Sequence, residues 1–322
     1  MHRRALALTV AWSISATSIL AQPPTHELAG DIPASGELVT SLERVGTELE
    51  LLRNEMGAPT PSPVNLRVRD AHPHELYFQA VTLFHKTDQL AFEHVRVRAR
   101  PPSQRPAVTL EDVTGVVKAA HDRLQLVSRN FGLAPASSAP PPAPEKTGAE
   151  IFGRLLKANH QIDLLVDRRI SSSEVFQEVT AAVSYTARLL EHFPGARQIP
   201  DAPLLQRNKQ PRDNYRRLLD CFALVHQIST GADLPILTLV EPVEPVDVTV
   251  IDVFDLVTLL VSELSLLYAR LPRLAPPVEA YFPGRQFPSH VYQRLGVLES
   301  QLTELARHAT ENPEWLEDSS AQ

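Results

Sequence analysis

Cysteine is all but missing from this chain of 322 residues. Cys221 stands alone, so no intrachain disulfide can form, and the disulfide-stapled scaffolds of small secreted domains are excluded. There is no Cys-x-x-Cys-His and no His-Glu-x-x-His, which removes the common c-type haem and zinc motifs. Glycine is scarce at 12 residues; no Gly-rich phosphate loop and no Gly-x-Ser-x-Gly elbow occurs. Those absences count against the common nucleotide-dependent and hydrolase classes, whose sites have recognisable local sequence. No cofactor and no metal is expected. His72 and His74, which flank Pro73, are read as capping residues, and Cys221, beside Phe222, as a buried inert thiol.

A long apolar run is also missing after the first twenty residues. The most apolar later stretch, Val248 to Leu271, is interrupted by Asp252, Asp255 and Glu263, which are costly inside a bilayer. The N-terminus differs. His2-Arg3-Arg4 precedes an apolar run from Ala5 to Leu20, and Ala21 precedes Gln22-Pro23-Pro24. Basic start, short apolar stretch and small exit residue predict a secretory signal peptide over 1–21, with cleavage after Ser18 as the alternative. The run is short for a membrane anchor, which needs roughly 20 residues. Arg3-Arg4 is only weak support for a twin-arginine route. The expected location is therefore exported, periplasmic or extracellular, with no transmembrane segment left after cleavage. Cleavage removes two arginines and no acid, leaving 29 basic against 38 acidic residues. A net charge of −9 argues against nucleic acid as a partner.

Proline, by contrast, is abundant at 28 residues, and it punctuates a helical pattern. Leu38 to Met56 carries apolar residues at helical spacing, as does Ala149 to Leu165. Between and after them a phrase recurs: Tyr77-Phe78-Gln79-Ala80-Val81-Thr82, Val175-Phe176-Gln177-Glu178-Val179-Thr180 and Val253-Phe254-Asp255-Leu256-Val257-Thr258. Each copy opens a first helix, expected over 73–94, 172–193 and 250–271. A second follows at 109–131, 211–229 and 289–308. Thr109 with Asp112 resembles a capping box, and Pro211 and Pro288 suit first helical positions. Phe78, Phe176 and Phe254 are expected to be equivalent core anchors.

The fold expected is all-α: three diverged two-helix repeats plus two extra helices, joined by long Pro-rich loops, as an elongated array or an irregular bundle. The organisation reads as a flexible leader over 22–37, an N-terminal helix with repeat one over 38–133, and a Pro-rich linker over 134–148. An extra helix with repeat two follows over 149–233, then a Pro/Glu spacer over 234–247, repeat three over 248–310 and a disordered tail over 311–322. Connectors this long could run back along one helix, so that the next packs parallel, or fold over as caps. The pattern leaves both open.

Two candidate sites emerge. Val64 to Arg69 and Val95 to Arg100 alternate apolar and polar residues, as extended segments with one buried face do. Arg67, Arg69, Arg96, Arg98 and Arg100 would then lie on outer faces and could converge on an anionic ligand. Residues 218–269 carry eight acids and no Lys or Arg, suggesting an acidic surface elsewhere. Solvated faces with internal pairing are the plainer account of both. The second candidate is a pocket between the first two repeat helices, centred on His85, Asp88 and His121; the other copies lack these residues. The function expected is a non-enzymatic exported scaffold or adaptor, binding an envelope protein or an anionic envelope component. The alternative is a small-molecule binding protein or enzyme using His85, Asp88 and His121.

Overall fold

The computed structural model describes residues 36–102, 108–134, 146–240, 247–271 and 274–316. The signal segment, most of the leader and the Pro-rich linker, the Glu-Pro core of the spacer and the last residues lie outside them. The described chain is all-α, with eight helices: α1 (Gly36–Met56), α2 (Pro73–Val95), α3 (Leu110–Asn130), α4 (Gly148–Leu165), α5 (Ser172–Leu190), α6 (Pro211–Gly231), α7 (Val250–Ala269) and α8 (Pro288–Glu311). The only paired strands among the described residues are β1 (Val68–Arg69) and β2 (Thr238–Leu239), which are antiparallel.

The helix starts share one device. In α2 to α8 the third helical residue turns back to accept the backbone N–H of the residue before the helix. Glu75 accepts from His72 at 2.7 Å, Asp112 from Thr109 at 2.9 Å and Glu150 from Thr147 at 3.0 Å. Glu174 accepts from Ser171 at 2.7 Å, Asp213 from Gln210 at 2.8 Å and Asp252 from Thr249 at 2.7 Å. In α8 the acceptor is His290 Nδ1, 3.2 Å from Phe287 N. Each such bond satisfies a donor the helix leaves over, and the carboxylates also oppose the positive end of the macrodipole.

The chain forms two compact units. The first holds α1 to α4 with the segment from Pro235 that carries β2, and the second holds α5 to α8. Each is a four-helix bundle. In the first, α3 packs on α1 and α2, and α4 packs on the same two. In the second, α7 packs on α5 and α6, and so does α8. The pairs α1 and α2, α3 and α4, α5 and α6, and α7 and α8 therefore stand at opposite corners. The two bundles have the same corner order.

Within each bundle the helices run parallel. Ser172, Pro211, Val250 and Pro288, the first residues of α5 to α8, line one small cavity. At the other end His308 of α8 stacks on Phe193, just past α5, at 4.7 Å. In the first bundle Arg154 meets Glu43, and one heptad on Gln161 meets Glu50, so α4 and α1 advance together. Gln79 and Lys86 of α2 meet Asn159 and Asp163 of α4 in the same sense, and Asp88 of α2 meets Arg123 of α3.

Parallel packing obliges each connector to travel back the length of a helix, about 30 Å for 20 residues. Residues 191–210 do so along α8. Gln198 O accepts from Gln301, Pro203 O from Gln293, and Lys209 N donates to Ser289. Residues 274–287 do so along α5, with Arg188 donating to Pro276 O, Gln177 to Ala280 O and Gln286 N to Ser173. The helices are parallel, but these connectors lie along α8 and α5 and not along the helix each one leaves, and α6 does not pack on α5 nor α8 on α7.

Several expectations need correction. Phe78, Phe176 and Phe254 are only half-buried; the core positions lie one residue earlier, at Tyr77, Val175 and Val253. The helix stripe is rotated by one residue because two neighbouring helices, not one repeat partner, define the inner face. The extra helix α4, grouped above with repeat two, packs on α1 and α2. Part of the spacer is ordered, since Ile236 and Leu237 are buried and Leu237 N donates to Glu75. Part of the tail is ordered too. Trp315 is buried against Phe193 and His192 at ring distances of 5.4 and 6.0 Å, which removes its large apolar surface from water.

One contact in the first bundle is tight enough to test. A Cβ added to Gly148, the first residue of α4, would lie 2.2 Å from the carbonyl oxygen of Ala71. Gly148→Ala should lower stability by more than about 2 kcal/mol, because backbone has to move. A chemical denaturation curve coincident with that of the native chain would contradict this.

Candidate functional site

The first arginine segment behaves as its alternation predicts. Leu66 and Val68 are buried, Arg67 and Arg69 exposed, and β1 is held by its pairing to β2 and by Val240 N donating to Arg67 O. The second segment does not. Arg96 takes the left-handed conformation that ends α2 (φ 61°), and Val97 is exposed rather than buried. The alternation there reflects a helix cap followed by a tether.

That tether is organised by Asp88, which is buried. Its carboxylate accepts from Ala99 N at 2.9 Å and from Arg98 Nη1 at 3.2 Å, and pairs with Arg123 of α3 at 3.0 Å. Arg123 also donates to Val97 O. The Arg98 guanidinium lies 4.1 Å from the Phe92 ring centroid, and Arg96 lies 5.5 Å from the same ring. Arg98 is thus an internal partner, while Arg100 is exposed.

The five arginines are not brought together. Arg67 and Arg69 precede the first residue of α2, beside Leu237, which binds Glu75 in that helix's first turn. Arg98 is held at Asp88, about 20 Å further along α2 at 1.5 Å per residue. The acidic stretch is also less of a surface than it reads. Asp252, Asp255 and Glu263 are buried, and Asp252 serves as the cap of α7.

His85, Asp88 and His121 line neither the cavity at the starts of α5 to α8 nor the groove between α6 and α8. Burial lowers the pKa of His85, opposed by Asp88. Burial also lowers that of His121, which is opposed by Glu48 of α1 and Asp122, while Arg44 adds to the lowering. His121 therefore faces α1, whereas Asp88 faces Arg123 and the Arg98 segment. His72 and His74 stack with ring centroids 6.3 Å apart at the start of α2. Cys221 is buried, and burial pushes its thiol up, away from the nucleophilic thiolate.

The surface that the sequence reading passed over lies in the second bundle, along the seam between α5 and α8. The connectors clamped on those helices carry Ile199, Leu204, Leu205, Val278, Tyr281 and Phe282, all exposed. Between them Arg294 of α8 lies 5.9 Å from the ring of Phe176 on α5. Its Nε is buried without a hydrogen-bond partner, and among the described residues no carboxylate pairs with it. Burial presses its pKa down, with Tyr281 opposing. The available signal was apolar and aromatic residues inside Pro-rich connectors, where loops are usually polar.

No family model matches the chain, and no curated protein or solved structure is significantly similar to it.

Proposed function

We propose that this protein is an exported, non-enzymatic helical scaffold or adaptor that binds an envelope protein or an anionic envelope component. The observation that carries the reading is the placement of exposed apolar side chains on connectors fixed to the bundle surface. Leu204 is 91% exposed and Tyr281 82%, on segments tied to α8 and α5 by side-chain hydrogen bonds. Large apolar groups held out from a rigid support are what a partner surface requires. The cavity at the starts of α5 to α8 has a volume of about 10 Å³, room for about one water, and the larger space of about 340 Å³ between α6 and α8 is lined by residues such as Gln227, Thr303 and Arg307 and by none of the groups considered for catalysis. Of the three groups considered for catalysis, Asp88 is engaged by two arginines. All five candidate arginines are exposed, and Arg67, Arg69, Arg96 and Arg100, which are not tied to Asp88, remain available for an anionic component at either end of α2.

Export has a direct test. Protein recovered from the producing cell should begin at Gln22 or a residue close to it. Intact Met1 on protein from the soluble cytoplasm would overturn the location. The adaptor role is tested by cross-linking the chain from Gln22 onward in envelope extract. A partner retained at physiological salt is expected; an envelope component turned over chemically, with no partner retained, would overturn the role.

A further inference from the structure

Arg294 is costly where it sits. A guanidinium offers five donors in a fixed plane, and a buried donor left unbonded loses its hydration without replacement. Arg294 Nε is such a donor, and the guanidinium lacks a carboxylate partner among the described residues. Other cations of this region are differently placed. Arg217 pairs with Glu299 at 2.6 Å, Lys209 lies 4.1 Å from the Tyr292 ring, and Arg285 lies 5.2 Å from that of Phe287.

The surroundings are apolar and fixed. Pro203 rests on Gly296, where a Cβ would come within 2.6 Å of the proline ring, and Gln293 donates to Pro203 O at 2.8 Å. These contacts set Leu204 and Leu205 on one side of Arg294. On the other, Gln177 donates to Ala280 O at 2.8 Å, which sets Tyr281 and Phe282 beside Phe176. Arg294 is half-buried, with Phe176 and Tyr281 near it, and the exposed apolar residues stand on the two connectors that run along α8 and α5.

We propose that this seam docks a peptide segment of a partner protein that carries a carboxylate between apolar side chains, with Arg294 binding the carboxylate. The proposal rests on the adaptor reading and names the partner's chemistry. A carboxylate matches the planar fork of the Arg294 guanidinium, which no acid of the described residues occupies. Leu204, Leu205, Tyr281 and Phe282 supply the apolar contact on which binding energy concentrates, Tyr and Arg being the residue types most frequent at such hot spots. A bilayer or a nucleic acid draws on many exposed cations at once, whereas one half-buried guanidinium suits a side chain that reaches in.

The test uses the full chain and synthetic fluorescent dodecapeptides of Leu, Phe, Gly and Asp, with a matched set carrying Asn for Asp. Fluorescence anisotropy should find Asp peptides that bind at least tenfold more tightly than their Asn counterparts. Arg294→Gln should remove that preference, and Leu204→Ser and Tyr281→Ser should each weaken binding several-fold. Arg294→Lys should recover part of it, and thermal melts would confirm that each variant is folded. The proposal fails if no Asp peptide binds below millimolar concentration, or if Arg294→Gln binds them undiminished. It also fails if phosphatidylglycerol vesicles, and not peptides, depend on Arg294. If envelope cross-linking yields a partner that Arg294→Gln still retains, the adaptor reading stands and this surface falls. If neither assay finds a partner, both fall.

Discussion

Replacing Lys86 with Met should destabilise the protein by about 3–5 kcal/mol, the usual cost of leaving one half of a buried ion pair uncompensated. Lys86 Nζ lies 2.6 Å from Asp163 Oδ2 and 3.3 Å from Asn159 O, in the interface of α2 with α4. Both side chains are about nine-tenths buried. Asn159 in turn donates to Gln79 O and Oε1, so the pair anchors a polar network inside the bundle. Asp163 Oδ1 already lacks a partner, and removing Lys86 would strand the whole carboxylate. Lys86→Met with Asp163→Leu should recover most of the loss, because it removes both charges and keeps the volume. Urea denaturation of the two single variants and the double variant measures this directly. A single-variant cost below about 1 kcal/mol would mean that solvent reaches the pair.

The second large effect concerns pH. Glu263 on α7 is fully buried, and burial pushes its carboxyl from 4.5 up to about 8. A carboxyl with a raised folded-state pKa contributes stability that is complete below about pH 4.5. The contribution shrinks as pH climbs and is lost above about pH 8, because the folded state must then give up a proton it holds more tightly than the unfolded state. At 1.36 kcal/mol per unit the window spans several kcal/mol. Glu263→Gln keeps the shape without the ionisation. The variant should match the native chain in melting temperature near pH 5 and exceed it clearly at pH 9. Equal melting temperatures at both values would show that Glu263 does not titrate in this window.

The helices were legible from sequence because their signals are local. Pro73, Pro211 and Pro288 sit at first positions, Thr109 with Asp112 caps α3, and the 3.6-residue spacing of Leu38, Leu42, Val45, Leu49 and Leu52 marks the inner face of α1. Which helix each face meets was not legible. Periodicity placed Val179 in the core but pointed to Phe176 where Val175 is buried, and it does not say that α7 and α8 bury that face, so the partners of α4 and the direction of packing had to come from geometry. The long connectors did carry the parallel option, since only they could span the return.

The site residues show a sharper limit. Alternation at Leu66 to Arg69 meant a strand with arginines outward, whereas the same alternation at Val95 to Arg100 meant a helix cap and a tether to Asp88. Two residues per period is too short a pattern to separate those cases. The acids of α7 misled for a related reason: a count of charges does not say that Asp252 is turned back as a cap or that Glu263 is buried. Arg294 gave no signal, being one arginine in an amphipathic helix. Its distinction is the missing carboxylate, which depends on where every acid of the bundle has gone.

The corner order of the second bundle has a consequence in time. The helix that follows α5 in the chain is not its neighbour, and its neighbours within the bundle, α7 and α8, come later. A ribosome adding about 5–20 residues per second needs roughly 4–16 s to pass from Leu190 to Ala269, whereas a helix–coil transition takes about a microsecond. For those seconds the apolar stripe of α5 has no partner from its own bundle. A chain built this way therefore emerges with finished helices and unfinished contacts, and what shields them during synthesis matters as much to its yield as the stability of the completed fold.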